Sequence, residues 1–392
     1  MKVVVAMDSF KGSLPADAAC AAVRSGILDA HPEAEVVMSP MADGGEGTAA
    51  AVIAATGGTW VPAKVMGPLP EMRVEARYAW LPAGRSAAGE ANGHRLIGDG
   101  TGALVEMAAA SGLELLESRE RNPLRTTTFG TGELMAAAAA QGADRLWLAI
   151  GGSATVDGGT GAAMALGWRF LDERGLPVGF GGGVLTRIAH IEAPEPTRRA
   201  FPPVTVLCDV DNPLVGEEGA ARVFGPQKGA DPEMVATLER GLAGLADVIE
   251  RDLGEDVRYV PGAGAAGGLG AGALAFFDAD LMSGVDAVME ATGLEGALSG
   301  ADWVVTGEGR FDEQSLRGKV VAGVAEAAHR AGVPLAVIAG SSTISVERAA
   351  DLGLGALEVS APPDVSFDEI VDRAEDLLIE AASRFAVARL GR

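Results

Sequence analysis

Short β-branched runs alternate with alanine-rich stretches along this chain of 392 residues, the pattern of an α/β protein built on buried parallel strands. Two such runs near the start and three near the end make five, the number for a flavodoxin-like sheet of order 2-1-3-4-5. The stretch between the two groups is long enough for a domain of its own. The sequence therefore predicts a discontinuous flavodoxin-like domain, residues 1–61 and 291–392, interrupted by an inserted second α/β domain at 62–290.

The first strand is "VVVA" (3–6), followed by a helix from about Ser13 to Ala30 with Ser13 as N-cap. "AEVVMS" (34–39) is the second strand, and a helix follows from about Gly47. Inside the insertion, "RLWLAIGG" (145–152) and "VTVLCDV" (204–210) read as buried strands, and helical periodicity runs from Asp231 to Leu253. "DWVVTG" (302–307), "PLAVIAG" (334–340) and "ALEVS" (356–360) complete the five-stranded set. Helices at about Ser315–Ala331, Ser345–Leu352 and Phe367–Ala386 accompany them.

Hydrophobic residues make up 48% of the chain, charged residues 22%, and glycine is enriched to 55. That balance implies a folded protein with many tight turns or close backbone approaches. The net charge of -23 repels polyanions and argues against a nucleic-acid surface. Cys20 and Cys208 are the only cysteines, and the four histidines are scattered, so no disulfide scaffold or histidine metal site is encoded. Asp8 breaks the first apolar run, and no stretch approaches the roughly 18–20 apolar residues of a membrane span. A reducing cytoplasm without a membrane partner is the expected setting, and an oligomer is left open.

In an open parallel sheet, ligands bind beyond the carboxyl ends of the strands, at the switch in strand order. "DSFKGS" (8–13) and "GEGRFDEQS" (307–315) flank that switch, and "PMADGGEGT" (40–48) leaves the same edge. Asp8, Ser9, Lys11 and Asp43 are thereby expected in one crevice with Glu46, Glu308, Arg310 and Asp312. Carboxylates that hold Mg²⁺ beside cations that neutralise phosphoryl oxygens suit phosphate chemistry. Each loop alone can equally be a capped turn.

Further loops carry glycines and ionisable groups. In "AIGGSATVDGGTGAAMALG" (149–167), the backbone N–H groups at Gly151 and Gly152 can form an anion nest. Ser153 and Thr155 add hydroxyls, and Asp157 can accept a proton or contact a metal; a glycine-rich turn packed on a sheet is the alternative. "CDVDNPLVG" (208–216) presents Asp209 and Asp211 on one side if the strand continues through them. "FGPQKGA" (224–230) carries Lys228, by default a solvated surface lysine. "PGAGAAGGLGAG" (261–272) spaces Gly262, Gly264 and Gly267 as G-x-G-x-x-G, with Gly268 adjoining. A phosphate loop or close packing is favoured there over an NAD(P) site. No G-x-x-x-x-G-K-[ST] motif occurs.

These stretches, together with "RNPLRTTTFGTGEL" (121–134) and the extension of the 307–315 loop through "LRGK", occur in an order that closely resembles the type I glycerate kinases over essentially the whole chain. The resemblance implies transfer of the γ-phosphate of ATP to D-glycerate with Mg²⁺, giving 2-phosphoglycerate. A glycerate 3-kinase and an NAD(P)-dependent oxidoreductase are the alternatives. Met7 stands where the family usually has proline, and Val156 where asparagine is common. ATP is expected along the glycine-rich loops of the insertion, at Gly151, Gly152, Ser153, Thr155, Lys228, Gly264, Gly267 and Gly268. Glycerate is expected in the switch-point crevice. Lys11, assisted by Arg310, contacts the phosphoryl group or the glycerate carboxylate. Asp43, Glu46, Asp209, Asp211 and Glu308 form the pool for Mg²⁺ and for orienting the hydroxyl, with Asp157 or Asp312 as alternative base.

Overall fold

The computed structural model describes all residues except 84–99, 196–200, 317–318, 363–364 and 392. The described chain divides into two compact units. Met1–Asp43, Ala50–Ala55 and Val285–Arg392 form the first, and Gly44–Ala49 with Thr56–Gly284 the second.

The first unit contains five parallel strands, Lys2–Met7, Glu35–Met38, Trp303–Gly307, Leu335–Ala339 and Ala356–Val359. Counted along the chain, they lie side by side in the order 2-1-3-4-5. Val4 pairs in register with Val304 on one side and Val37 on the other. Continuous apolar runs suit strands covered on both faces, and Val3 to Met7 are fully buried.

The first helix runs Ala16–Ala30 behind Pro15, so the expected cap at Ser13 is corrected. Ser13 instead lies in a tight turn, where its Oγ donates to Phe10 O at 2.9 Å and Phe10 N donates to Leu14 O. Ser345 and Ser366 do cap helices, accepting from Arg348 N and Glu369 N. The expected C-terminal helix is two, Phe367–Asp372 and Ala374–Arg389. Cys20, Val23 and Ile27 of the first helix share a core with Leu378, Ala382 and Phe385 of the last. Gly26 makes this packing close, because a Cβ there would meet the Ile379 carbonyl oxygen at 2.2 Å.

The second unit holds a six-stranded mixed sheet. Gly102–Glu106, Arg145–Ala149, Val204–Leu207 and Asp280–Met282 are parallel. Thr59–Met66 and Arg73–Leu81 join as an antiparallel pair at one side. Thr59–Met66 is the edge strand, which is why Pro62 is tolerated in it. The helix Pro232–Leu253 begins at Asp231, whose side chain accepts from Met234 N at 2.8 Å. Among the described residues, no helix is long and apolar enough to cross a membrane.

Gly26→Ala is expected to destabilise the protein by about 1–3 kcal/mol, the cost of overpacking a filled core. Urea unfolding would show a lower midpoint at unchanged slope.

Candidate active site

Beyond the carboxyl ends of the first unit's strands lies a crevice of 430 Å³. The strand Lys2–Met7 delivers Asp8, Ser9 and Lys11 to its wall, and the segment after Glu35–Met38 delivers Asp43. From the strand Trp303–Gly307 follow Glu308, Arg310 and Asp312, with Lys319 farther along. Seven of the eight residues expected in one crevice therefore line one here. Glu46 does not; it belongs to the second unit.

Three of these carboxylates act on one another. Burial, reinforced by the negative charge of Asp43, raises the pKa of Asp8 to about 7. Glu308 and Lys11 make smaller opposing contributions, and Ser9 N donates to Asp8 Oδ1 at 2.6 Å. Burial also pushes Glu308 up, against the Ser315 hydroxyl and Lys319, with Asp312 and Asp43 adding to the rise. Glu308 Oε1 is buried with no hydrogen-bond partner. Asp312 is more committed: its Oδ1 accepts from Gln314 N at 2.9 Å and its Oδ2 lies 3.4 Å from Arg310 Nε. Among the described residues, no three His, Cys, Asp or Glu side chains form a metal cage.

The second unit places the other expected residues on its own loops. Gly151 N donates to Gly44 O at 3.2 Å. Lys228, expected at the surface, is 2% exposed. Its Nζ donates to Ser153 Oγ at 2.6 Å and Thr155 O at 2.8 Å, so it ties the 153–155 turn from beneath. Burial lowers its pKa to about 7, opposed by the charge of Asp157.

Asp157 is fully buried. One carboxyl oxygen accepts from Thr128 N at 2.8 Å, and the other from Gly159 N at 3.1 Å. Thr128 Oγ1 lies within 3.2 Å of both. Burial pushes its pKa up while these donors pull it down. With both carboxyl oxygens engaged, Asp157 fastens two loops.

The strand Val204–Leu207 stops before Asp209 and Asp211, so strand alternation does not set them on one side. Asp209 Oδ1 accepts from Ser283 Oγ at 2.8 Å and Gly284 N at 3.0 Å, and Asp211 is exposed. The glycines of 261–272 serve backbone packing. A Cβ at Gly264 would fall 2.1 Å from Pro213 O, and one at Gly267, where φ is +68°, 1.9 Å from Thr155 O. Gly268 is buried in the same contact layer. No strand precedes Gly262, so the structural context of a dinucleotide fingerprint is missing.

Sequence reasoning left the role of Asp8 open and did not single out Lys319. Asp8 is left between turn-capping and ligand contact by the sequence, and its near-neutral pKa emerges from burial, with Asp43 and Glu308 adding to it. Lys319 lines the crevice, and its only signal is its place at the end of the quoted "LRGK"; Arg317 and Gly318 lie outside the described residues. The unusual Val156 is fully buried within the second unit's core.

Residues 3–390 match the model of the glycerate kinase family. A glycerate kinase from Halalkalibacterium halodurans is 45% identical over 98% of this chain and 97% of its own length. A glycerate 2-kinase from Escherichia coli is 43% identical over 98% of this chain and 97% of its own. A crystal structure from Salmonella typhimurium LT2 matches with TM-score 0.82 at 41% identity, covering 99% of this chain and 98% of that one. With a family match spanning nearly its whole length and relatives this similar at both ends, the chain belongs to the glycerate kinase family of phosphotransferases.

Proposed function

We propose that this protein transfers the γ-phosphate of ATP to the 2-hydroxyl of D-glycerate, giving 2-phosphoglycerate, with Mg²⁺ as the metal. The observation that carries the reading is the first unit's crevice, where Asp8, Asp43 and Glu308 meet Lys11, Arg310 and Lys319 in a member of this family. The name of the Escherichia coli relative favours the 2-position. The strand order of the first unit supports reading it as a flavodoxin-like domain, with the second unit as an insertion between its second and third strands.

Phosphoryl transfer asks for positioning and for cations around the transferring oxygens. Lys11 and Arg310, both exposed at the crevice wall, serve the transferring group, and Lys319 stands beside Glu308. Asp8 takes the proton of the attacking hydroxyl, since its pKa of about 7 suits a base working near neutrality. Mg²⁺ typically binds one or two carboxylates plus phosphate oxygens and needs no three-ligand cage. The unpartnered Glu308 Oε1, close enough to Asp43 to feel its charge, fits that demand. Asp43 and Glu308 would hold such an ion, which would supply positive charge to offset that of the phosphoryl group.

Incubation with ATP, Mg²⁺ and D-glycerate, followed by phosphorus NMR of the product, tests reaction and position together. 2-Phosphoglycerate is expected; 3-phosphoglycerate would reassign the hydroxyl, and no phosphorylated product under any metal condition would overturn the reading. Lys11→Ala is expected to lower kcat on the order of 10²-fold, the scale for losing an electrostatic stabiliser, with thermal unfolding unchanged.

Asp8 also links stability to pH. Folded, it holds its proton up to about pH 7, against a reference pKa of 3.8. Between those values the folded state binds the extra proton, so this group's contribution to stability falls as pH rises. Asp8→Asn should therefore exceed the wild type in stability at pH 8 by up to about 4 kcal/mol, with the gap closing toward pH 4. Paired urea unfolding curves at the two pH values measure it.

A further inference from the structure

The first unit's crevice has a second end that the charged cluster does not use. Past the strands Leu335–Ala339 and Ala356–Val359, its wall is formed by Ile370, Val371, Ala374 and Leu377, from the two C-terminal helices. Ser341 and Ser360, which follow those two strands, also line it. Gly309 and Gly340 line it without side chains, and a Cβ at Gly340 would come within 2.5 Å of the Gly309 carbonyl oxygen.

A three-carbon hydroxy acid has no apolar surface to place against four aliphatic side chains. A flat ring with an apolar face and polar edges matches aliphatic walls, a glycine floor and two serine hydroxyls. A phosphate chain attached to that ring would run toward Lys11, Arg310 and Lys319. The glycine-rich stretch expected to hold nucleotide in the second unit is, by contrast, occupied at Gly264 and Gly267 by that unit's own backbone.

We infer that the apolar end of this crevice, formed by Ile370, Val371, Ala374 and Leu377, is the nucleobase subsite for the phosphoryl donor. This rests on the proposed kinase reaction, and it moves the base from the second unit's loops to the first unit.

Two variants test it. Ala374→Leu fills the apolar end, and Val371→Gln, at a partly exposed position, makes it polar with little risk to folding. Both should raise KM for ATP about tenfold or more, the scale on which an apolar pocket senses one or two methylenes, while KM for D-glycerate stays within about twofold of the wild type. Binding of a methylanthraniloyl derivative of ADP, with displacement by adenosine, provides a readout independent of turnover. It should weaken in parallel in both variants. An unchanged KM for ATP with unchanged nucleotide binding would overturn the subsite, as would a rise confined to the KM for D-glycerate, which would put the acceptor there. Wild-type protein that binds the nucleotide but phosphorylates no glycerate would overturn only the proposed reaction.

Discussion

The burial of Asp8 and Glu308 beside Asp43 is the constraint on which the crevice depends. The parallel sheet brings the segments that carry them to one edge, and burial removes the water that would separate their charges. The conflict is met in two ways: Asp8 keeps its proton up to about pH 7, and Glu308 is pushed up while Lys319 and the Ser315 hydroxyl pull against it. A cluster that is costly when fully ionised gains from a cation, and the proposed Mg²⁺ would be one. Strain in the resting site and affinity for a charged substrate complex are thus the same electrostatic fact.

The second unit resolves a similar conflict internally. Lys228 and Asp157 are both buried, and each is held by hydrogen bonds rather than by water. Lys228 reaches Ser153 and Thr155, while Asp157 fastens the 127–129 segment to the glycine turn at 158–159. Removing one partner of such an arrangement strands the other without compensation. These residues therefore act as fasteners of the glycine-rich loops.

How much of this is legible in the sequence depends on the range of the interaction. The five strands of the first sheet are readable because each is a buried apolar run, a local property of composition. The pair Thr59–Met66 and Arg73–Leu81 is not, since its partly exposed residues mix charges and Pro62 into the pattern. Lys228 reads as a surface lysine because its own neighbours are glycines, and its burial is created by Ser153, 75 residues away. Asp209 and Asp211 mislead for the opposite reason: the apolar run suggests a strand through both, but tertiary pairing ends it at Leu207. The glycines of 261–272 have the spacing of a nucleotide loop, yet spacing does not distinguish a phosphate from a neighbouring carbonyl as the group that comes close.

A chain with net charge -23 that handles two anionic substrates poses an apparent contradiction, which distance removes. At physiological ionic strength, charges farther than about 8 Å are largely screened, so the surplus of surface acids counts for little inside a crevice. In the proposed reaction a phosphate chain would meet Lys11, Arg310 and Lys319, beside carboxyls of which Asp8 stays protonated until about pH 7. The raised pKa of Asp8 thereby does two jobs at different stages. In its protonated form the group adds no negative charge while the anions approach, and once that proton has left to solvent the carboxylate could accept one from the hydroxyl in the proposed reaction.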